Sequence, residues 1–138
     1  MKEPELLVDT SVAVAILVSD HEHHHAAVHA VGDRRAGLCG HAAFETFSVL
    51  TRLPSPARRS PEDVVELLRE SFPDTRFLSG QGAGSLLERL PVLGADGGSV
   101  YDALVGATAA EHRLPLLTRD RRAVPVYRAL GIALEILA

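Results

Sequence analysis

Tryptophan is absent from the 138 residues, and Phe and Tyr together number only six. Any core must therefore rest on Leu, Val, Ile and Ala. A single cysteine, Cys39, excludes an internal disulfide framework and any multi-cysteine zinc site. The only lysine is Lys2, near the start of the sequence, where order is expected to fray. This argues against chemistry that needs a catalytic lysine inside the fold, and no Gly-Lys-Ser/Thr phosphate loop is present. The longest apolar run, Val12 to Val18, is far too short for a membrane span. The opening Met-Lys-Glu-Pro-Glu lacks the basic-then-apolar pattern of a secretory leader. These absences set the expectation of a soluble, cytoplasmic protein that engages no membrane.

What is present is ordinary globular composition, 46% hydrophobic and 23% charged, in a length suited to one domain over residues 1–138. The net charge is −4, from 18 acidic and 14 basic residues. Apart from Lys2, every basic residue is Arg. Genome composition bias accounts for such a preference, and so does phosphate recognition by bidentate contact.

Short apolar runs alternate with helical patterns. Glu5 to Asp9 has the pattern of a buried strand feeding a helix over Val12 to Val18. A second helix is expected from Asp20 to Val31, a strand over Gly37 to Gly40, and a helix from Ala42 to Leu53. Ser60-Pro61-Glu62-Asp63 is a helix start, with a capping Ser, Pro at the first position and acids in the first turn. That helix runs to about Ser71. A possible strand over Arg76 to Leu78 follows, then helices over Gly84 to Leu90 and Val100 to His112. A strand over Pro115 to Thr118, a helix from Arg121 to Leu130 and a last strand over Ile132 to Leu137 complete the chain. This alternation predicts an α/β sandwich with a mostly parallel sheet of about four to five strands.

Four carboxylates fall where chemistry collects. In open α/β sheets, ligands bind at the carboxyl ends of strands. Asp9 closes the first strand and Asp120 lies just past Pro115–Thr118. Asp102 opens a helix, and Glu45 lies inside a mostly apolar one. Bland roles exist for each. Asp9 and Asp120 can cap the helices that follow, and Ser99 with Asp102 has capping-box spacing. On a helical wheel Glu45 shares a narrow polar stripe with His41, Ser48 and Arg52, which suits either a solvated face or a cleft wall. Brought into one cleft, four carboxylates would repel, and divalent cations relieve such repulsion. Two hard cations on oxygen ligands can activate water and stabilise a leaving oxygen, a design for phosphodiester hydrolysis.

The chain resembles the PIN-domain ribonucleases, specifically VapC toxins of toxin–antitoxin pairs. The resemblance rests on Leu-Leu-Val-Asp-Thr-Ser at residues 6–11 and on the Glu45 helix ending in Leu-Thr-Arg. It rests most on residues 100–131, from Val-Tyr-Asp-Ala-Leu through Leu-Leu-Thr-Arg-Asp-Arg-Arg to Tyr-Arg-Ala-Leu-Gly; residues 54–98 carry little of it. It implies a PIN-like three-layer α/β/α sandwich and a ribonuclease dependent on Mg²⁺ or Mn²⁺. Asp9, Glu45, Asp102 and Asp120 are then the metal-binding and catalytic quartet, with the Ser11 and Thr118 hydroxyls hydrogen-bonding around it. Arg52, Arg119, Arg121 and Arg122 are candidates for holding RNA phosphates. The implied partners are an RNA substrate, a second copy in a homodimer, and a VapB-type antitoxin forming a heterotetramer or larger complex. Operator DNA is reached only through the antitoxin.

Two other readings compete. His21-Glu22-His23-His24-His25 matches H-E-x-x-H, which on one helix would offer His21 and His25 to zinc, with Glu22 as base. His29 is the next i+4 step, but a third ligand at zinc-peptidase spacing is missing. The other reading is a non-catalytic α/β binding module. The lack of an internal lysine argues against a signalling receiver domain.

Overall fold

The computed structural model describes residues 4–138. Four short strands form one parallel sheet in the order β2-β1-β3-β4: β1 Leu6–Val8, β2 Ala36–Leu38, β3 Leu116–Thr118 and β4 Leu134–Ile136. β1, β2 and β3 are buried along their full length, as strands covered on both faces must be. The period-2 alternation sends Leu6, Val8 and Leu117 to one core and Leu7 and Leu116 to the other. Helices α1 (Thr10–Leu17) and α2 (His24–Val31) pack on the first face. Helices α6 (Ser99–His112) and α7 (Val124–Ala129) cover the second. A third cluster joins α5 (Gly80–Leu93) to α6 and α7. The remaining helices are α3 (His41–Thr51) and α4 (Pro61–Ser71). This is the α/β/α sandwich expected, with four strands.

Local chemistry explains most of these boundaries. Ser60 Oγ accepts from the Asp63 N–H at 3.2 Å and Pro61 is the first residue of α4, as its sequence predicts. α5 is longer than its apolar pattern suggests, because Ser79 Oγ caps it through the Gly82 N–H at 2.9 Å. The segment at 76–78 is no strand. Arg76 makes a single parallel bridge with Cys39, and Phe77 is exposed. α2 begins at His24 instead of Asp20, because residues 18–24 turn twice: His21 N–H donates to Val18 O and His24 N–H to His21 O. α7 likewise begins three residues later than expected, after a turn closed from Ala123 N–H to Asp120 O.

The strand order places a switch point between β1 and β3. From β1 the chain passes to β2 on one side, and the later strands lie on the other. A crevice opens at the carboxyl ends of the strands at such a point. Asp9 follows β1 there and Asp120 follows β3. Gly40 brings the other wall close. Its φ is +56°, and a Cβ on it would lie 2.6 Å from Thr108 Oγ1 on α6. Only glycine lets α3 start this near to α6.

A candidate acidic active site

The crevice holds a narrow pocket of about 70 Å³ lined by Asp9, Glu45, Asp102 and Asp120, together with Thr10, Ser11, Val105, Arg122 and Tyr127. The four acids picked out in the sequence are thus brought together from the end of β1, from α3, from α6 and from the end of β3.

Asp9 is 4% exposed and fully hydrogen-bonded. Its Oδ1 accepts from Ser11 Oγ at 2.5 Å and from the Val12 N–H at 3.3 Å. Its Oδ2 accepts from Thr118 Oγ1 at 2.5 Å and from the Tyr127 hydroxyl at 3.0 Å. Burial pushes the Asp9 carboxyl above its ordinary pKa, while these four donors pull it back. Asp9 therefore does cap α1, but three side-chain donors exceed what a cap needs. The same hydroxyls reach onward. Ser11 Oγ accepts from the Arg119 N–H at 3.0 Å, and Thr118 Oγ1 accepts from the Asp120 N–H at 3.0 Å. They fix the turn after β3 relative to β1.

The bland roles fail for two other acids. α6 is preceded by Gly98 with no side-chain cap. Ser99 Oγ donates instead to Asp96 O at 2.7 Å, so no capping box engages Asp102. Asp120 lies four residues before α7; its Oδ1 accepts from the Arg122 N–H and its Oδ2 from the Arg122 guanidinium, both at 3.1 Å. Glu45 is half-buried, with His41 one turn earlier at 4.0 Å. Burial raises the Glu45 carboxyl; His41 pulls it down and Asp9 pushes it up. The Asp102 carboxyl is pushed up to about 6, mainly by burial, with Arg122 opposing and Asp120, Glu45 and Asp9 adding to the rise.

The Arg candidates separate. Arg122 lines the pocket. Arg121 is exposed outside its lining. Arg52 is the exposed C-cap of α3. Arg119 turns away, its Nη2 3.0 Å from His21 Nε2 and its Nε buried without a hydrogen bond. The polar stripe of α3 divides accordingly: Glu45 lines the pocket, His41 lies beside Glu45 at 4.0 Å, and Ser48 and Arg52 are exposed.

The H-E-x-x-H arrangement is not formed. His21 lies in the turn before α2, while His25 is inside it. His21 Nδ1 accepts from the His23 N–H at 3.0 Å and Nε2 faces Arg119. Burial and then the Arg119 charge hold its imidazole below the usual pKa. Tyr127 is the site residue that composition and spacing gave no reason to choose. A buried Tyr hydroxyl needs a partner, but nothing local says that the partner is Asp9.

Among the described residues, no three His, Cys, Asp or Glu side chains are drawn together closely enough to hold a metal ion as they stand. The pocket nonetheless suits a hard cation. Its donors are oxygens throughout, and four carboxylates face one guanidinium. The buried Thr10 Oγ1 approaches Glu45 without completing a hydrogen bond.

A PIN-domain model matches residues 6–129. Over 136 residues the chain is 46% identical to "Ribonuclease VapC27" of Mycobacterium tuberculosis (strain ATCC 25618 / H37Rv), covering 99% of both chains. It is 43% identical over 131 residues to "Ribonuclease VapC40" from two strains of the same species, covering 94% of this chain and 96% of the relative. The fold and the match together define a PIN domain. The chain belongs to the family of VapC-type PIN-domain ribonuclease toxins of toxin–antitoxin pairs. No helix among the described residues is long and apolar enough to cross a membrane.

Proposed function

We propose that this chain is a Mg²⁺- or Mn²⁺-dependent endoribonuclease whose site is the pocket of Asp9, Glu45, Asp102 and Asp120. The observation that carries the reading is the gathering of four carboxylates from four separate elements into one lining with a single cationic partner. When bound there, a divalent cation supplies an activated water and charge stabilisation for phosphodiester hydrolysis. Asp9, Glu45, Asp102 and Asp120 would hold it. Ser11, Thr118 and Tyr127 orient the Asp9 carboxylate, and Arg122 is the cation placed to meet a substrate phosphate. Arg121 stands beside it, Arg52 lies further off at the end of α3, and Arg119 serves by holding the turn after β3.

Growth arrest in the host follows from RNA cleavage in the cytoplasm, and a VapB-type antitoxin relieves it by binding the toxin. The assembly is a homodimer joined by antitoxin into a heterotetramer or larger complex, with operator DNA held by the antitoxin. The 138 residues act as one domain.

The test is expression of the chain alone and with each acid changed singly to Ala. Metal-dependent RNA cleavage and growth arrest that each change abolishes are expected. Cleavage that persists in Asp102→Ala, or without any divalent metal, rejects the reading. Co-expression of a small protein encoded directly upstream tests the antitoxin. A non-catalytic binding module would bind RNA with no cleavage under any metal.

A further inference from the structure

Only six Phe and Tyr residues occur in this chain, and three of them are spent on solvent. Phe44, Phe77 and Tyr101 are 65%, 53% and 50% exposed. They are not scattered. Tyr101 stacks on His41, with ring centroids 4.9 Å apart and planes 14° from parallel. His41 is followed by Phe44 at 6.5 Å, and Phe44 by Phe77 at 6.1 Å. A continuous strip of four rings thus crosses from the first turn of α6 over the first turn of α3 to the residues before α5. Isolated exposed apolar residues need no explanation, but a contiguous patch marks a contact.

The strip begins at the acidic pocket. Tyr101 is the residue before Asp102, and His41 lies one turn before Glu45 at 4.0 Å. A molecule held on the rings is therefore next to whatever the acids act on. The hollow beside the rings, about 200 Å³, is lined by Gly40, His41, Phe44, Phe77, Leu78 and Leu104 among others, with no Lys, Arg, Asp or Glu. It offers flat ring faces and no guanidinium or ammonium for a phosphate.

The charge balance adds a second argument. RNA-binding proteins commonly draw their affinity from phosphate contacts by Lys and Arg. This chain carries −4, and Arg122 is the one Arg in the lining of the acidic pocket. With one Arg at the pocket to meet phosphates, affinity for a nucleic acid gains from a second source. Stacking of unpaired bases on aromatic faces is the available source, and it needs no positive charge.

We propose that the His41–Tyr101 pair, continued by Phe44 and Phe77, is a stacking platform for unpaired RNA bases beside the bond to be cut. This rests on the ribonuclease reading and adds a selection rule. Single-stranded segments are preferred because paired bases cannot present their faces. Specificity then depends on the bases that lie on the strip, not on phosphate contacts.

The experiment titrates a ten-nucleotide adenosine RNA, carrying 2-aminopurine at successive positions, with the Asp120→Asn chain. Fluorescence reports stacking and affinity together. Quenching at one or more positions is expected. Tyr101→Ala and Phe77→Ala should each weaken binding about tenfold and relieve the quenching, while Tyr101→Phe keeps both. Circular dichroism checks that the variants fold. Two results overturn the proposal: RNA bound with equal affinity and no quenching change in Tyr101→Ala and Phe77→Ala, or an oligomer lost in those variants, seen by light scattering, with RNA binding intact. The second would make the strip a protein interface. A folded wild-type chain that neither binds nor cuts RNA with Mg²⁺ or Mn²⁺ removes the ribonuclease reading itself. Cleavage without dependence on the rings removes only the platform.

Discussion

Tyr127 and Asp9, 118 positions apart in the chain, are joined by a hydrogen bond from the Tyr127 hydroxyl to Asp9 Oδ2 at 3.0 Å. Both residues are buried, and burial beside the acid pushes the Tyr127 hydroxyl far above its ordinary pKa. It therefore remains a donor throughout the physiological range. Tyr127→Phe leaves a buried carboxylate with three donors in place of four. The expected loss is about 2 kcal/mol, in the range for hydrogen bonds to charged groups. Urea unfolding measures it; equal stability of parent and variant would show that this bond contributes nothing.

Asp102→Asn should separate function from stability. Burial and three neighbouring acids hold the Asp102 carboxyl near 6, so its charge opposes folding at neutral pH. Partial exposure screens the effect to about 1 kcal/mol. The variant is expected to lose RNA cleavage while unfolding at equal or higher urea concentration than the parent, both in chelator. A clear loss of stability would contradict this account of the pocket.

Glu111 carries a pH dependence of the opposite sign. Its carboxylate accepts from the Ser79 hydroxyl at 2.7 Å and the Ser79 N–H at 2.9 Å, and so ties the start of α5 to α6. These bonds hold its pKa below the usual Glu value of 4.5. A depressed carboxylate stabilises the fold fully above its unfolded pKa, and that contribution is lost as pH falls through the folded one. Glu111 is exposed to solvent, which limits the contribution to about 0.5 kcal/mol. Glu111→Gln should thus be slightly less stable at pH 7, with the gap closing below about 4.5. Thermal melts at pH 7 and pH 3 compare the two.

Gly37→Ala should be severe. A Cβ there would lie 2.2 Å from the backbone oxygen of Asp74, and backbone cannot swing aside as a side-chain end can. Asp74 is itself buried and paired with Arg35. A loss of about 3 kcal/mol is expected from overpacking at such a contact, read from the shift in the urea midpoint.

Arg122→Ala tests the phosphate contact. Removing one phosphate partner on a single strand should lower the salt slope of log K for RNA binding by about 0.7. An unchanged slope would assign Arg122 to Asp120 alone.

Much of this was legible in the primary structure. Ser60-Pro61 announced α4 because capping is settled within four residues. The apolar triplets at 6–8 and 116–118 announced buried strands because both of their faces are covered. The acids at 9 and 120 were conspicuous because they follow those strands. Where reading failed, the deciding contact was not local. Residues 20–23 carry helix-compatible side chains, yet turns closed by backbone bonds delay α2 to His24. Cys39 pairs with Arg76 for a single bridge, so 76–78 never extends into a strand. Ser79 capped α5 earlier than apolar periodicity suggested.

By itself the chain determined its element types and which residues have chemistry to offer, since propensity, capping and hydrophobic period act over a few neighbours. Only the tertiary structure decided that four carboxylates share one crevice, that Tyr127 completes the shell of Asp9, and that the histidine cluster stays apart. Those outcomes depend on the order of strands in the sheet and on helix packing across it. Contacts spanning a hundred residues are set by the burial of whole elements, a quantity that no short window of sequence contains.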